Sequence, residues 1–195
     1  MNNDRTGITD RAVALLERRR APSDLCGIRG HGVARLWTPS LFHSGKLLLA
    51  QQVEFENLVT EIGDQYYGER AAGIGSPPNQ VTGMRLGTGS TAVAKTGAGA
   101  AIVTYVTASQ VVITGGFPTS SKPSSARRIQ WQSLWGAGVA TASGIAEAVI
   151  TNENPLTNVA GTAANTVSRA LLAPTVNKGA SDTLTITWNH DLLGA

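Results

Sequence analysis

The feature that most limits what this chain can fold into is a change of hydrophobic period near Gly73. From there to the C-terminus apolar residues recur at every second position, in short runs cut by Gly, Pro, Ser and Asn. A period of two puts alternate side chains on opposite faces of an extended strand, whereas a helix needs apolar residues three and four apart. The clearest run is TLTITW, residues 183–188, with Leu184, Ile186 and Trp188 opposite Thr183, Thr185 and Thr187. VTGMRLGTG (81–89), ARRIQWQSLWG (126–136) and SGIAEAVITN (143–152) read the same way. AAIVTYVTASQVVITGGF (100–117) holds one or two strands, and TVSRALLAPTV (166–176) is a strand or a short turn.

Ahead of Gly73, GVARLWT (32–38) and the stretch that follows SGK (47–59) pair as a hairpin, with Ser44-Gly45 as the turn. Leu58, Ile62 and Tyr66 are then spaced by four, which predicts a helix from about Val59 to Ala71 ending near Gly73. Gly63 and Gly68 weaken it by about 1 kcal/mol each relative to alanine. A second short helix is expected over residues 8–20, capped by Thr9 or Asp10 and apolar along Ala12, Leu15 and Leu16. Pro22, Gly27, Gly30 and Gly32 break regular structure after it. The expected organisation is an N-terminal basic arm, residues 1–30, and one domain, residues 31–195. That domain is mainly β, a β-sandwich or jelly roll with one short helix; helices between the strands, which an α/β fold needs, are missing.

Charged residues make up 15% of the chain, against about a quarter in ordinary soluble domains. Gly, Ala, Thr and Ser take their place. So weakly charged a surface suits a protein whose faces are covered by neighbours, and a homo-oligomer, a trimer first among the candidates, is expected. The pI of about 9.4 does not by itself point to nucleic acid. The cations cluster in the arm, at Arg11, Arg18, Arg19 and Arg20, where they suit an acidic protein surface. The one cysteine, Cys26, allows no internal disulfide, and no stretch is apolar enough for a signal peptide or a membrane span. Synthesis in a reducing cytoplasm is the corresponding expectation.

The chemical motifs come close and fail. GSTAVAKT (89–96) has Gly89, Lys95 and Thr96 of a phosphate loop, but Ala94 stands at the second glycine and GAGA follows where a helix should begin. Cys26, His31 and His43 lack the spacing of a zinc site. His190 and Asp191 have no activated serine to serve. No catalytic residue, metal or cofactor is assigned. Glu147 is expected on the solvent face of its strand, or paired structurally with Arg127, Arg128 or Arg169. Among the four tryptophans three are expected in the core, while Trp135 and Tyr105 are the candidate interface aromatics, able to serve as a stacking platform for a glycan.

Five stretches taken in order carry a resemblance: GHGVARLWTPSLFHSGKLL (30–48), EFENLVTEIGDQYYGERAAG (54–73), MRLGTGSTAVAKTGAG (84–99), SGIAEAVITNE (143–153) and SRALLAPTVNKGASDTLTITWNHDL (168–192). Together the chain resembles small structural proteins of tailed-bacteriophage virions: capsid decoration, head-fibre, neck or tail-fibre components. The likeness departs at Ala92–Lys95, where a proline and later an acid would be usual. The resemblance implies a virion location, a capsid decoration or cement role ahead of a neck or tail-fibre one, and major capsid or neck proteins as partners beside further copies of the chain. A carbohydrate-binding or surface-binding β module is the alternative.

Overall fold

A computed structural model describes residues 27–41 and 45–193. The expected N-terminal helix, Cys26, His43 and the Ser44 end of the turn lie outside the described residues. Within them the chain is mainly β. The order is β1 (Gly27–Pro39), β2 (Leu47–Val59), α1 (Glu61–Ala72), β3 (Gly83–Gly87), β4 (Val111–Val112), β5 (Thr119–Ser121), β6 (Arg127–Trp135), β7 (Ala142–Thr151), β8 (Thr166–Lys178) and β9 (Thr183–Leu193). The strands form one antiparallel sheet in the order β4-β3-β7-β8-β2-β1-β9-β6-β5.

That sheet curls until its two margins meet. At the middle, β2 touches β8 over three pairs only, Asn57↔Ala170 to Val59↔Ser168, and the two strands then diverge. At the ends, Thr114 N–H donates to Gln132 O (2.8 Å) and Ser133 Oγ to Val112 O (3.1 Å), bringing the β4 margin against β6. The enclosed core takes Trp131, Trp135, Leu184, Ile186 and Trp188 from one side and Met84, Leu86, Ile145, Ile150 and Leu172 from the other. The enclosure is that of a β-sandwich, and TLTITW supplies its last inward face.

β1 begins at Gly27, so residues 27–30, read from their glycines as part of the arm, pair with β9. The glycines are windows. Gly32 lies between Phe55 and Trp188, and a Cβ there would stand 2.4 Å from the Phe55 ring. Its absence lets Phe55 reach Trp188, ring centroids 5.2 Å apart. Gly30 opens the same passage two pairs along: a Cβ would meet Asn57 Oδ1 at 2.0 Å, and Asn57 instead reaches across to His190.

Of two further readings, one shrinks and the other settles on its strand alternative. Residues 100–117 yield only the two-residue β4 and an isolated bridge, Gly87↔Tyr105, because their backbone is bound by side chains described below. Residues 166–178 are one full strand despite Pro174. The proline sits in a register shift between the pairs Glu147↔Leu171 and Ile145↔Val176, beyond the pairs with β2, where its missing N–H breaks no ladder.

Helix α1 ends at the expected glycine and is opened by a threonine cap. Thr60 Oγ1 accepts the Gly63 N–H (3.2 Å), and Gly73 closes the helix at φ 63°. Gly63 proves to be a packing residue, since a Cβ there would come 2.2 Å from Val167 O on β8. Gly63→Ala is therefore expected to destabilise the fold although alanine is the better helix former. Overpacking costs about 1–3 kcal/mol against about 1 kcal/mol of propensity, and the obstructing atom is backbone. A lowered urea midpoint checks this; a raised one would show that the helix can shift off β8.

Candidate functional site

The surface that stands out is the far half of the β1–β2 hairpin. β1 stops pairing with β9 at Trp37↔Thr183, so the hairpin continues past the strand beside it. Leu47, Leu48 and Leu49 are 45%, 47% and 48% exposed, and Leu41 is 95% exposed. Successive strand residues point to opposite faces, so near-equal exposure at three consecutive positions means that both faces of the ribbon are open. The body holds the base of this ribbon through Thr38, whose hydroxyl donates to Asp182, and Gln51, which donates to Thr175 O (3.0 Å). The signal was present in the sequence as three leucines beside a turn; which side of them would be covered was not.

The residues singled out in advance fall differently. Arg11, Arg18, Arg19 and Arg20 lie outside the described residues. Trp135 is a correction: it is 0% exposed, its indole N–H donates to Ser109 O (2.8 Å), and it offers no platform to a ligand. Its inward face follows from pairing with Leu184. Tyr105 is half-buried, with its hydroxyl 2.8 Å from Gln110 Oε1 and 2.9 Å from Asn158 Oδ1. Lys95 of the phosphate-loop-like stretch pairs with Asp64 at the start of α1 (2.5 Å). No group of three or more His, Cys, Asp and Glu is placed to hold a metal among the described residues.

Glu147 takes the second of its two expected placements, the structural pairing with Arg169. It does face outward from β7, yet it is 0% exposed, because an irregular segment lies over it. Arg169 donates to Glu147 Oε2 from Nη2 (2.6 Å) and Nε (3.2 Å). Glu147 Oε1 accepts the backbone N–H groups of Gly89 (3.0 Å), Val103 (3.0 Å) and Thr104 (2.8 Å). Arg169 Nη1 donates to Thr91 O (2.8 Å) and Gly99 O (3.2 Å). One ion pair thus satisfies five backbone groups within residues 89–104, a segment with almost no ladder of its own. The glycines of LGTG follow: a Cβ at Gly87 or Gly89 would stand 2.4 or 2.6 Å from that carboxylate. Arg85 does the same for the next loop, donating to Thr151 Oγ1 (3.1 Å) and Thr157 O (3.2 Å) and pairing with Glu153. Burial holds its guanidinium below its ordinary pKa.

On the opposite outer face, across β2, β1, β9 and β6, lies an open groove of about 590 Å³. Arg128 grips Asp191 through two bonds, Nε to Oδ1 (2.7 Å) and Nη2 to Oδ2 (2.9 Å). His31 Nε2 stands 3.3 Å from the same carboxylate, and Arg29 lies 3.6 Å from Glu56. Gln130 donates to Asn189 Oδ1 at the floor (2.8 Å). The Arg128 guanidinium hydrogen-bonded to it holds the Asp191 carboxyl below the usual carboxylate range. No local sequence signal marks this groove, because its residues come together only through strand register.

Beneath it, on the core side, His190 is wholly buried. Its Nδ1 lies 2.7 Å from the Tyr67 hydroxyl of α1 and its Nε2 3.0 Å from Asn57 Oδ1. Asn57 Oδ1 also accepts the Ser168 hydroxyl (2.7 Å). The network ties the helix to β2, β8 and β9 across the narrow seam of the sheet. Burial above all, with repulsion from His31 added, pushes the His190 pKa down to about 3, so the imidazole is neutral in the folded chain.

Comparison with protein-family models, with curated proteins and with solved structures finds no match.

Proposed function

We propose that the chain is a structural subunit of a tailed-bacteriophage virion, a capsid decoration or cement protein or another head-associated component. It assembles with copies of itself, as a closed oligomer, and with major capsid or neck proteins. The ordered resemblance of five stretches supports this reading, as does the small share of charged residues. The single structural observation that carries it is the leucine ribbon. Full burial of one leucine stabilises by about 1.5–3 kcal/mol, so three half-exposed leucines in a row leave several kcal/mol for a partner surface to recover, which a solitary domain has no reason to hold back. The arm's Arg11, Arg18, Arg19 and Arg20 supply forked donors for carboxylates on a neighbour. The reading assigns the chain no catalytic step.

Light scattering on the full chain, on a version lacking residues 1–26 and on Leu48→Asp tests it. Deletion must stop at residue 26, because Gly27 already belongs to β1. The expected results are a closed oligomer for the full chain, dissociation for Leu48→Asp, and loss of binding to undecorated capsids without the arm. A monomer at all concentrations that ignores capsids would overturn the proposal.

A further inference from the structure

We infer that the outer-face groove binds a neutral saccharide, an activity separate from assembly. Its size, about 590 Å³, falls within the range of small-ligand sites, about 300–1,000 Å³. It is built on four strands and not on loops, and the two-bond Arg128–Asp191 contact locks its central pair. Arg128 Nη1 has no partner among the described residues, while Arg29 and Glu56 hold each other only loosely at 3.6 Å, 60% and 83% exposed. The groove therefore presents donors and carboxylate acceptors side by side.

Sugar hydroxyls want this pairing, since each donates one hydrogen bond and accepts others. The charge balance narrows the class. Two guanidinium groups, Arg29 and Arg128, face three carboxylates, Glu54, Glu56 and Asp191. The carboxylates outnumber the guanidinium groups, which disfavours phosphate, nucleic acid and acidic glycans. The outward Val33 gives a small apolar floor for a sugar's C–H face.

The test is an array of neutral and acidic oligosaccharides probed with the full chain, followed by calorimetry on the strongest ligand. Arg29→Ala and Glu56→Gln lie at the exposed rim, where folding is insensitive to them; Asp191→Asn probes the centre. A neutral oligosaccharide bound by the wild type, at least about tenfold more weakly by the rim variants (one charge-assisted hydrogen bond) and unchanged by Glu61→Ala on α1, supports the inference. Overturning outcomes are no binding across the array, binding confined to acidic glycans, or affinity indifferent to the groove variants. None of these depends on the oligomeric state or on capsid binding, so the two proposals fail separately.

Discussion

Glu147→Ala is expected to destabilise the chain by about 3–5 kcal/mol, the cost of leaving one member of a buried ion pair without its partner. The residue and Arg169 are both 0% exposed, so the remaining guanidinium cannot recover water. Three backbone N–H groups lose their acceptor at the same time. The effect should be local before it is global: amide exchange should accelerate over residues 89–104 in conditions where β1, β2 and β9 stay protected. Glu147→Gln keeps the shape but not the charge and should fall between wild type and Glu147→Ala. Urea denaturation measures the first effect and hydrogen exchange the second. A loss below about 1 kcal/mol, with unchanged exchange in this segment, would mean that the loop holds itself.

Acid is expected to weaken the fold from just below pH 6.5, well above the carboxylate range. His190 is neutral in the folded chain down to about pH 3, while in the unfolded chain it takes up a proton near its ordinary pKa of about 6.5. Between those values the unfolded state binds one more proton, so stability falls as pH falls, by about 1.4 kcal/mol per unit. From pH 7 to pH 5 the loss is about 2 kcal/mol. Asp182 and Asp191 have the opposite timing. Hydrogen bonds from Thr38 and Arg128 depress their pKa values, so their contribution is complete above about pH 4 and disappears only below it. Urea midpoints at pH 7.5 and pH 5 should therefore converge in His190→Gln and diverge in the wild type. Equal slopes in the two proteins would remove His190 as the cause.

The strands that were legible are those whose faces differ. β6 and β9 alternate because one side meets the tryptophan core, and the facing of each was visible from Trp131 and Ile186; β7 is buried on both faces, and a register shift after Ile145 turns that residue inward with Ala148 and Ile150. α1 was legible from its spacing and its terminal glycine. The glycines of β1 were misread because a local rule treats glycine as a breaker; at Gly30 and Gly32 it is the crossing of Asn57 and Phe55 from the next strand that requires the missing Cβ. Gly63 was misjudged for the same reason, with β8 as the absent neighbour.

Glu147 marks the limit of alternation as an argument. The period of two placed it on the outer face, and it is there, but alternation says nothing of what lies above a face. The segment 89–104 covers it, and that segment shows no period because five of its backbone groups are bonded to two side chains and it runs in no strand ladder. Trp135 went wrong in the opposite sense: its inward direction was implied by pairing with Leu184, a partner separated from it by 49 residues of chain.

By itself the sequence determined the class of this protein: a low-charge β chain with a basic N-terminus, a hairpin, one capped helix and a closing strand, all consequences of local period and turn chemistry. Only the tertiary structure decided which faces are buried, that three charges hold the irregular segments, that the hairpin leucines stay uncovered, and that Arg29, His31, Glu56, Arg128 and Asp191 share one groove. Those facts depend on strand order, and strand order is set by contacts between residues far apart in the chain, which no local pattern records.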